Sequence, residues 1–167
     1  MPAYHSKFNE CVELYVGNMA ILPIKTTVKG PAPRQDDPSA EDIIDEALLY
    51  FKPNIFFRQF EIKGAADRTL IYLFLYIIEC LKKLQRCQKK LQATKDLTCL
   101  ALESNLPIPG ERAFPFTGLY KPPANAHEEE TMRAYLQQLR QELGARLIEK
   151  VFTTPDAPPS KVSAGAI

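Results

Sequence analysis

Four cysteines, two histidines and several runs of like charge are the residues of this chain that could do chemistry. A cysteine near His5 or His127 could form a thiolate–imidazolium pair, the usual route to a nucleophilic thiol. Neither histidine lies in a local nucleophile motif, however, and Cys80 and Cys87 fall on the packed face of a helical pattern. A thiol there is a small buried hydrophobe. His127 followed by Glu128, Glu129 and Glu130 could ligate a metal. Consecutive helical residues point in different directions, so the run reads as a solvated acidic first turn. The paired acids at 36–37, 41–42 and 45–46 read as helix polarity and solubility. Pro109-Gly110 reads as a turn, and no glycine-rich phosphate loop is present. No catalytic, cofactor or metal site is expected.

The electrostatic feature that stands out is a basic cluster, Lys82, Lys83, Arg86, Lys89 and Lys90. In a continuous helix Lys82, Arg86 and Lys89 share one side, with Lys83 and Lys90 adjacent. Three readings are open: an ordinary solvated face, a contact with an acidic protein surface, or nucleic acid. The last is disfavoured by a net charge of only +1 and by the lack of interleaved aromatic residues in the cluster.

The elements that position these residues follow from hydrophobic periodicity. Length gives one domain of 167 residues, and 46% hydrophobic with 25% charged residues is a soluble globular composition. The stretch 67–91, DRTLIYLFLYIIECLKKLQRCQKKL, begins with an apolar run over 70–78. Nine residues at about 1.5 Å each cross about half of a bilayer core, which excludes a membrane span. A spacing of three and four continues through positions 80, 81, 84, 87 and 91, and no Gly or Pro lies between Ala65 and Pro107. This predicts one long helix over about 65–91, apolar all round in its first half. Further helices are expected from a Ser39/Asp42 cap to Pro53, around Phe56, Phe57 and Phe60 as a short aromatic turn, over about 94–103, and over about 127–152. The fold expected is therefore all-α, about five helices with the long apolar one surrounded. Extended proline-rich segments at 17–38 and 104–125 would wrap over the helices or over another protein. No strand is expected. Residues 1–152 form a single helical domain and 153–167 a mobile polar tail. The cysteines, without a Cys-x-x-Cys pair, favour free thiols in a reducing compartment. Neither a secretory leader nor a lipidation box is read at the ends.

The whole chain, more than any one motif, resembles a known family. MPAYHS at 1–6, GNMAILPI at 17–24, KGPAPR at 29–34, DEALLYFK at 45–52 and ADRTLIY at 66–72 carry the likeness. So do ECLKKLQRC at 79–87, PIPGE at 107–111, MRAYLQQLRQE at 132–142 and RLIEKVF at 146–152. They resemble the 21-kilodalton subunit 3 family of the actin-related protein 2/3 complex. One departure follows residues 159–161, where the family continues into an aromatic, basic tail and this chain reads VSAGAI; the expected effect is on partner contact, not on folding. The resemblance implies a non-catalytic structural subunit, without cofactor or membrane insertion. Its assembly, switched on by nucleation-promoting factors, starts a daughter actin filament from the side of an existing one. Implied partners are the other subunits, chiefly actin-related protein 3, and the mother filament. The implied location is the cytoplasmic actin cytoskeleton, extending to cell projections and the nucleus. A free-standing helical adaptor is the alternative.

Overall fold

The computed structural model describes residues 4–55, 61–116 and 118–152. Four helices and one two-stranded hairpin account for its regular structure: β1 (Leu14–Val16), β2 (Met19–Ile21), α1 (Ile43–Ile55), α2 (Ala65–Leu84), α3 (Lys90–Leu102) and α4 (Ala126–Val151). A short 3₁₀ turn, Lys7–Glu10, precedes the hairpin. The expectation of an all-α fold, with about five helices around one apolar helix over 65–91, is overturned on three counts.

First, the helix ends at Leu84. An unbroken helix to the end of α3 would be about 57 Å long, whereas a domain of this size has a radius of gyration of about 15 Å. The chain folds back instead, and α3 lies along α4, its most extensive partner. The corner at 85–89 is held by Cys87, whose thiol donates to the Lys83 carbonyl at 3.4 Å and to the Asp96 carboxylate at 3.3 Å. Cys87 is buried at the corner, while Leu91, assigned to the same stripe, is 68% exposed. Second, α2 is not apolar all round. None of residues 70–78 is exposed, but Asp67, Arg68 and Thr69 open the helix, and Glu79, Lys82 and Lys83 close it.

Third, a hairpin occupies part of the N-terminal segment expected to be extended. Leu14 pairs with Ile21, and Val16 with Met19, antiparallel. The turn places Gly17 at φ +60°, where a Cβ would come within 2.7 Å of the Lys121 carbonyl oxygen. A positive φ at the first central residue is what a II′ hairpin turn requires. All three residues of β2 are buried, so the alternation that reveals a half-exposed strand is missing.

Two helix ends also differ from expectation. The cap of α1 is Asp42, not Ser39: its carboxylate accepts from the Asp45 amide at 3.0 Å, and the Asp45 carboxylate accepts from the Asp42 amide at 3.1 Å. This is a reciprocal capping box with Asp in both places. Pro53 lies inside α1, two residues before its end. Only the hydrogen bond to the Leu49 carbonyl is forgone there, a modest loss at a helix terminus. The aromatic turn at 56–60 and the tail at 153–167 lie outside the described residues.

The core gathers α2, β2 and the inner faces of α1, α3 and α4, with Leu70, Leu73, Ile77, Leu136, Leu139 and Leu143 fully buried. Leu73→Ala removes a close-packed side chain at the centre of α2 and is expected to cost about 2–5 kcal/mol, read from urea unfolding. A cost below about 1 kcal/mol would show that the site collapses or is not central.

Candidate protein-interaction surface

Much of the N-terminal third lies extended against the helices, and helix side chains hold its backbone. The Leu22 amide donates to the Tyr135 hydroxyl at 3.0 Å, and Thr69 donates to the Ala20 carbonyl at 2.7 Å. Gln138 accepts from the Ala32 amide and donates to the Val28 carbonyl, fixing both sides of the 28–32 loop. Glu128 accepts from the Gly17 and Ala124 amides, bonds that hold its carboxyl below the usual range. The acidic start of α4 is therefore a clasp on the hairpin turn, while neighbouring His127 and Glu129 are exposed.

A second clasp fastens residues 4–9. Asp67, wholly buried at the start of α2, accepts from the Ser6 amide at 2.8 Å and the Lys63 amide at 3.0 Å, and lies 2.7 Å from His5 Nδ1. Glu46 of α1 accepts from the Ser6 hydroxyl at 2.7 Å and the Lys7 amide at 2.9 Å. Burial pushes the Glu46 carboxyl up, against the pull of those bonds. Tyr4 exchanges two backbone bonds with the Asn54 amide group and stacks on Tyr50 at 4.9 Å.

The third clasp is Arg146 of α4. Its guanidinium forks onto both oxygens of buried Asp42 at 2.7 and 2.8 Å, and reaches Asp45, Glu142 and the Lys25 carbonyl. Burial alone would raise Asp42, but Arg146 and the Lys25 and Asp45 amides outweigh it and hold the carboxyl below its ordinary range. Asp42 and Glu46 thus join elements together and are buried; the reading of the paired acids at these two positions as solubility is corrected. Arg140, also buried, donates to the Ala101 carbonyl at the end of α3 and to the Tyr72 hydroxyl. A cation at a helix C-terminus meets the negative end of its dipole. These roles follow from contacts across many residues of sequence and leave no local signal.

The basic cluster straddles the α2–α3 corner and does not lie along one helical side. Lys82, Lys83, Arg86 and Lys89 are exposed. Lys82 pairs with Glu79 at 3.0 Å, and half-buried Lys90 pairs with Glu149 of α4 at 2.8 Å. Lys83, Arg86 and Lys89 form no ion pair among the described residues. The structure thus divides the five: three free cations at the corner, and two engaged within the chain. Among the described residues no cluster of His, Cys, Asp and Glu is placed to hold a metal, and no helix is long and apolar enough to cross a membrane. Cys80 and Cys87 are buried and Cys11 and Cys99 exposed.

Two substitutions test the clasps. Arg146→Met leaves Asp42 buried without its cation and is expected to cost about 3 kcal/mol, the low end for breaking a buried pair because Arg146 is 18% exposed. Asp42, with its depressed value, contributes stability above the unfolded aspartate range that is lost as pH falls through the folded value. The gap between wild type and variant should therefore narrow on acidification through the carboxylate range, measured by urea unfolding at a series of pH values. A pH-independent gap would remove Asp42 as its cause. Asp67→Asn removes the charge and one of the two acceptor oxygens that serve the Ser6 and Lys63 amides and the His5 ring, at a cost of about 1–3 kcal/mol. Amide exchange at Ser6 should accelerate; unchanged protection there would show that Asp67 does not fasten the N-terminal segment.

Comparison with known proteins finds likeness in sequence over nearly the whole chain. Residues 1–163 match the family described as P21-Arc, the ARP2/3 complex ARPC3 (21 kDa) subunit. The chain is 58% identical to the probable actin-related protein 2/3 complex subunit 3 of Caenorhabditis elegans, over 96% of this chain and 88% of the relative. It is 49% identical to subunit 3 of Schizosaccharomyces pombe, over 96% and 91%, and 41% identical to that of Arabidopsis thaliana, over 93% and 88%. With a match over residues 1–163 and 58% identity across 96% of its length, the chain belongs to the P21-Arc family, the 21 kDa structural subunits of the ARP2/3 complex.

Proposed function

We propose that this chain is a non-catalytic subunit that packs chiefly on actin-related protein 3, close to the mother filament, and contributes contact area to the assembly that starts a daughter filament. The observation that carries the reading is the end-to-end kinship with proteins named as subunit 3 of that complex. The interior supports it. Burial pushes the Cys80 thiol up to about 12 and the Cys87 thiol up to about 11, so neither is a thiolate at neutral pH. The place of work proposed is the cytoplasmic actin cytoskeleton, including cell projections and the nucleus. Within an assembly, several weak contacts act at high effective concentration, so a small subunit need not bind tightly at any one patch.

We further propose that the corner of Lys83, Arg86 and Lys89, with Lys82 and Lys90 beside it, faces an acidic protein surface. Its cations are exposed and form no ion pair among the described residues. Reversing Lys83, Arg86 and Lys89 to Glu should leave the melting temperature unchanged. It should weaken filament-side binding or branching by the complex reconstituted with the variant, most at low salt where screening is least. Unchanged branching at every ionic strength would return the corner to an ordinary solvated surface. The wider reading is tested by affinity purification of the tagged full chain: co-purification with both actin-related proteins is expected, and a lone small species would favour a free-standing adaptor.

A further inference from the structure

Residues 24–34 leave the core and return to it as a closed loop, and a cavity of about 380 Å³ lies within it. At the neck Ile24 and Arg34 form a bridge: the Ile24 amide donates to the Pro33 carbonyl and the Gln35 amide to the Ile24 carbonyl, both at 3.2 Å. Thr26 donates to Glu142 at 2.9 Å and accepts from the Val28 amide at 3.0 Å. Buried Gln138 of α4 grips the far side through Val28 and Ala32. Gly30 lies so close to it that a Cβ would come within 2.5 Å of the Gln138 side-chain oxygen. Pro31 and Pro33 each fix a backbone angle. The cavity is therefore framed in advance by the chain itself.

Its lining carries one sign of charge. Ile24, Val28 and Ala32 give an apolar side, Thr27 a hydroxyl, and Lys29 and Arg34 two cations, and no acid among the described residues lines it. Lys29 is exposed and forms no ion pair among the described residues. Arg34 meets Asp36 at 2.9 Å, with the two side chains 80% and 79% exposed. A pair so open to water contributes little, so Arg34 can turn to another anion. The amides of Thr27, Lys29 and Gly30 form no hydrogen bond among the described residues. Unengaged loop amides beside two cations are donors of the kind that an oxyanion accepts from.

We propose that this loop cavity binds a small phosphate ester, its phosphoryl group at Lys29, Arg34 and the loop amides and its organic body against Ile24, Val28 and Ala32. Three amides and two cations offer more donors than the two oxygens of a carboxylate can use, which favours the phosphate. The volume is near the lower end for small-molecule sites and suits a polyol phosphate or the headgroup of a phosphorylated lipid. Occupancy would tie Lys29 and Arg34 to one group and stiffen a segment that Gln138 and Thr26 hold from the side of α4. The site shares no residue with the α2–α3 corner and stands apart from that reading.

The test is amide NMR of the purified full chain titrated with glycerol phosphate, glycerol and succinate, beside co-sedimentation with phosphatidylcholine vesicles with and without phosphatidylinositol phosphate. Glycerol phosphate should shift the Thr27, Lys29 and Gly30 amides, glycerol should not, and succinate should bind at least about tenfold more weakly. Binding to the phosphoinositide vesicles alone would support the same chemistry and assign a lipid headgroup as its source. Lys29→Gln with Arg34→Gln should weaken either mode at least about tenfold at unchanged melting temperature. Equal binding of succinate overturns the choice of phosphate. Shifts confined to Lys83, Arg86 and Lys89, with the loop amides unmoved, overturn the site. So does the absence of both loop shifts and sedimentation at ligand concentrations up to about 10 mM. Should the double variant fail to fold, the ligand series on the unaltered chain still decides.

Discussion

Everything in this fold rests on one constraint: an extended chain laid into an apolar interior must find a hydrogen-bond partner for each buried amide and carbonyl. A sheet ladder supplies few here, because the hairpin has only three residues a side. The helices supply others through side chains. Tyr135, Thr69, Gln138, Asp42, Asp67 and Glu46 each take up a backbone group of residues 6–32. A buried unpaired amide costs about 1–3 kcal/mol, so these polar residues are part of the core's specification. Apolar burial provides the driving force, and the polar contacts decide which extended path the chain takes over the helices.

That arrangement places charge inside a small domain. Asp42 and Asp67 have no side-chain exposure, and Arg140 and Glu46 are nearly as buried. Each is satisfied by a fork of bonds, often from two different elements. Arg146 touches the start of α1, the strand exit at Lys25 and its own helix, so it locks three parts of the chain with one side chain. Desolvation offsets much of the attraction in buried networks of this kind, whereas removing one partner leaves a buried charge uncompensated and is costly.

With acids drawn inward as clasps, the free charge at the α2–α3 corner is basic although the chain as a whole is nearly neutral. The corner closes α2 at its C-terminal end, while Phe114 and Tyr120 pack against the helix at Tyr72 and Arg68. Both arise because the chain reverses at Cys87 and later returns across α2 through Phe114 and Tyr120. The clasps thereby decide which charges the fold leaves at its surface.

Local sequence was enough for α4, because twenty-six residues with a long apolar stripe, an acidic first turn and no strong breaker repeat one signal many times. The burial of Leu70, Leu73 and Ile77 was equally legible, since an apolar run too short for a membrane has to be enclosed. Family kinship was legible as well, from long matching stretches in order. The α2–α3 break was not: no Gly or Pro marks it, and the periodicity at 80, 81, 84, 87 and 91 fits a continuing helix. Only the need to lay α3 against α4 turns the chain at Cys87. The hairpin escaped notice because a strand buried on both faces shows no alternation. The acids at 42 and 46 looked like solubility charge because the partners that bury them, Lys25, Arg146, Ser6 and Lys7, lie 17 to 104 residues away. Periodicity and capping report on neighbours within a turn or two of helix; burial of a carboxylate, and the cation or amide that makes it tolerable, is decided by elements that meet only when the chain has folded.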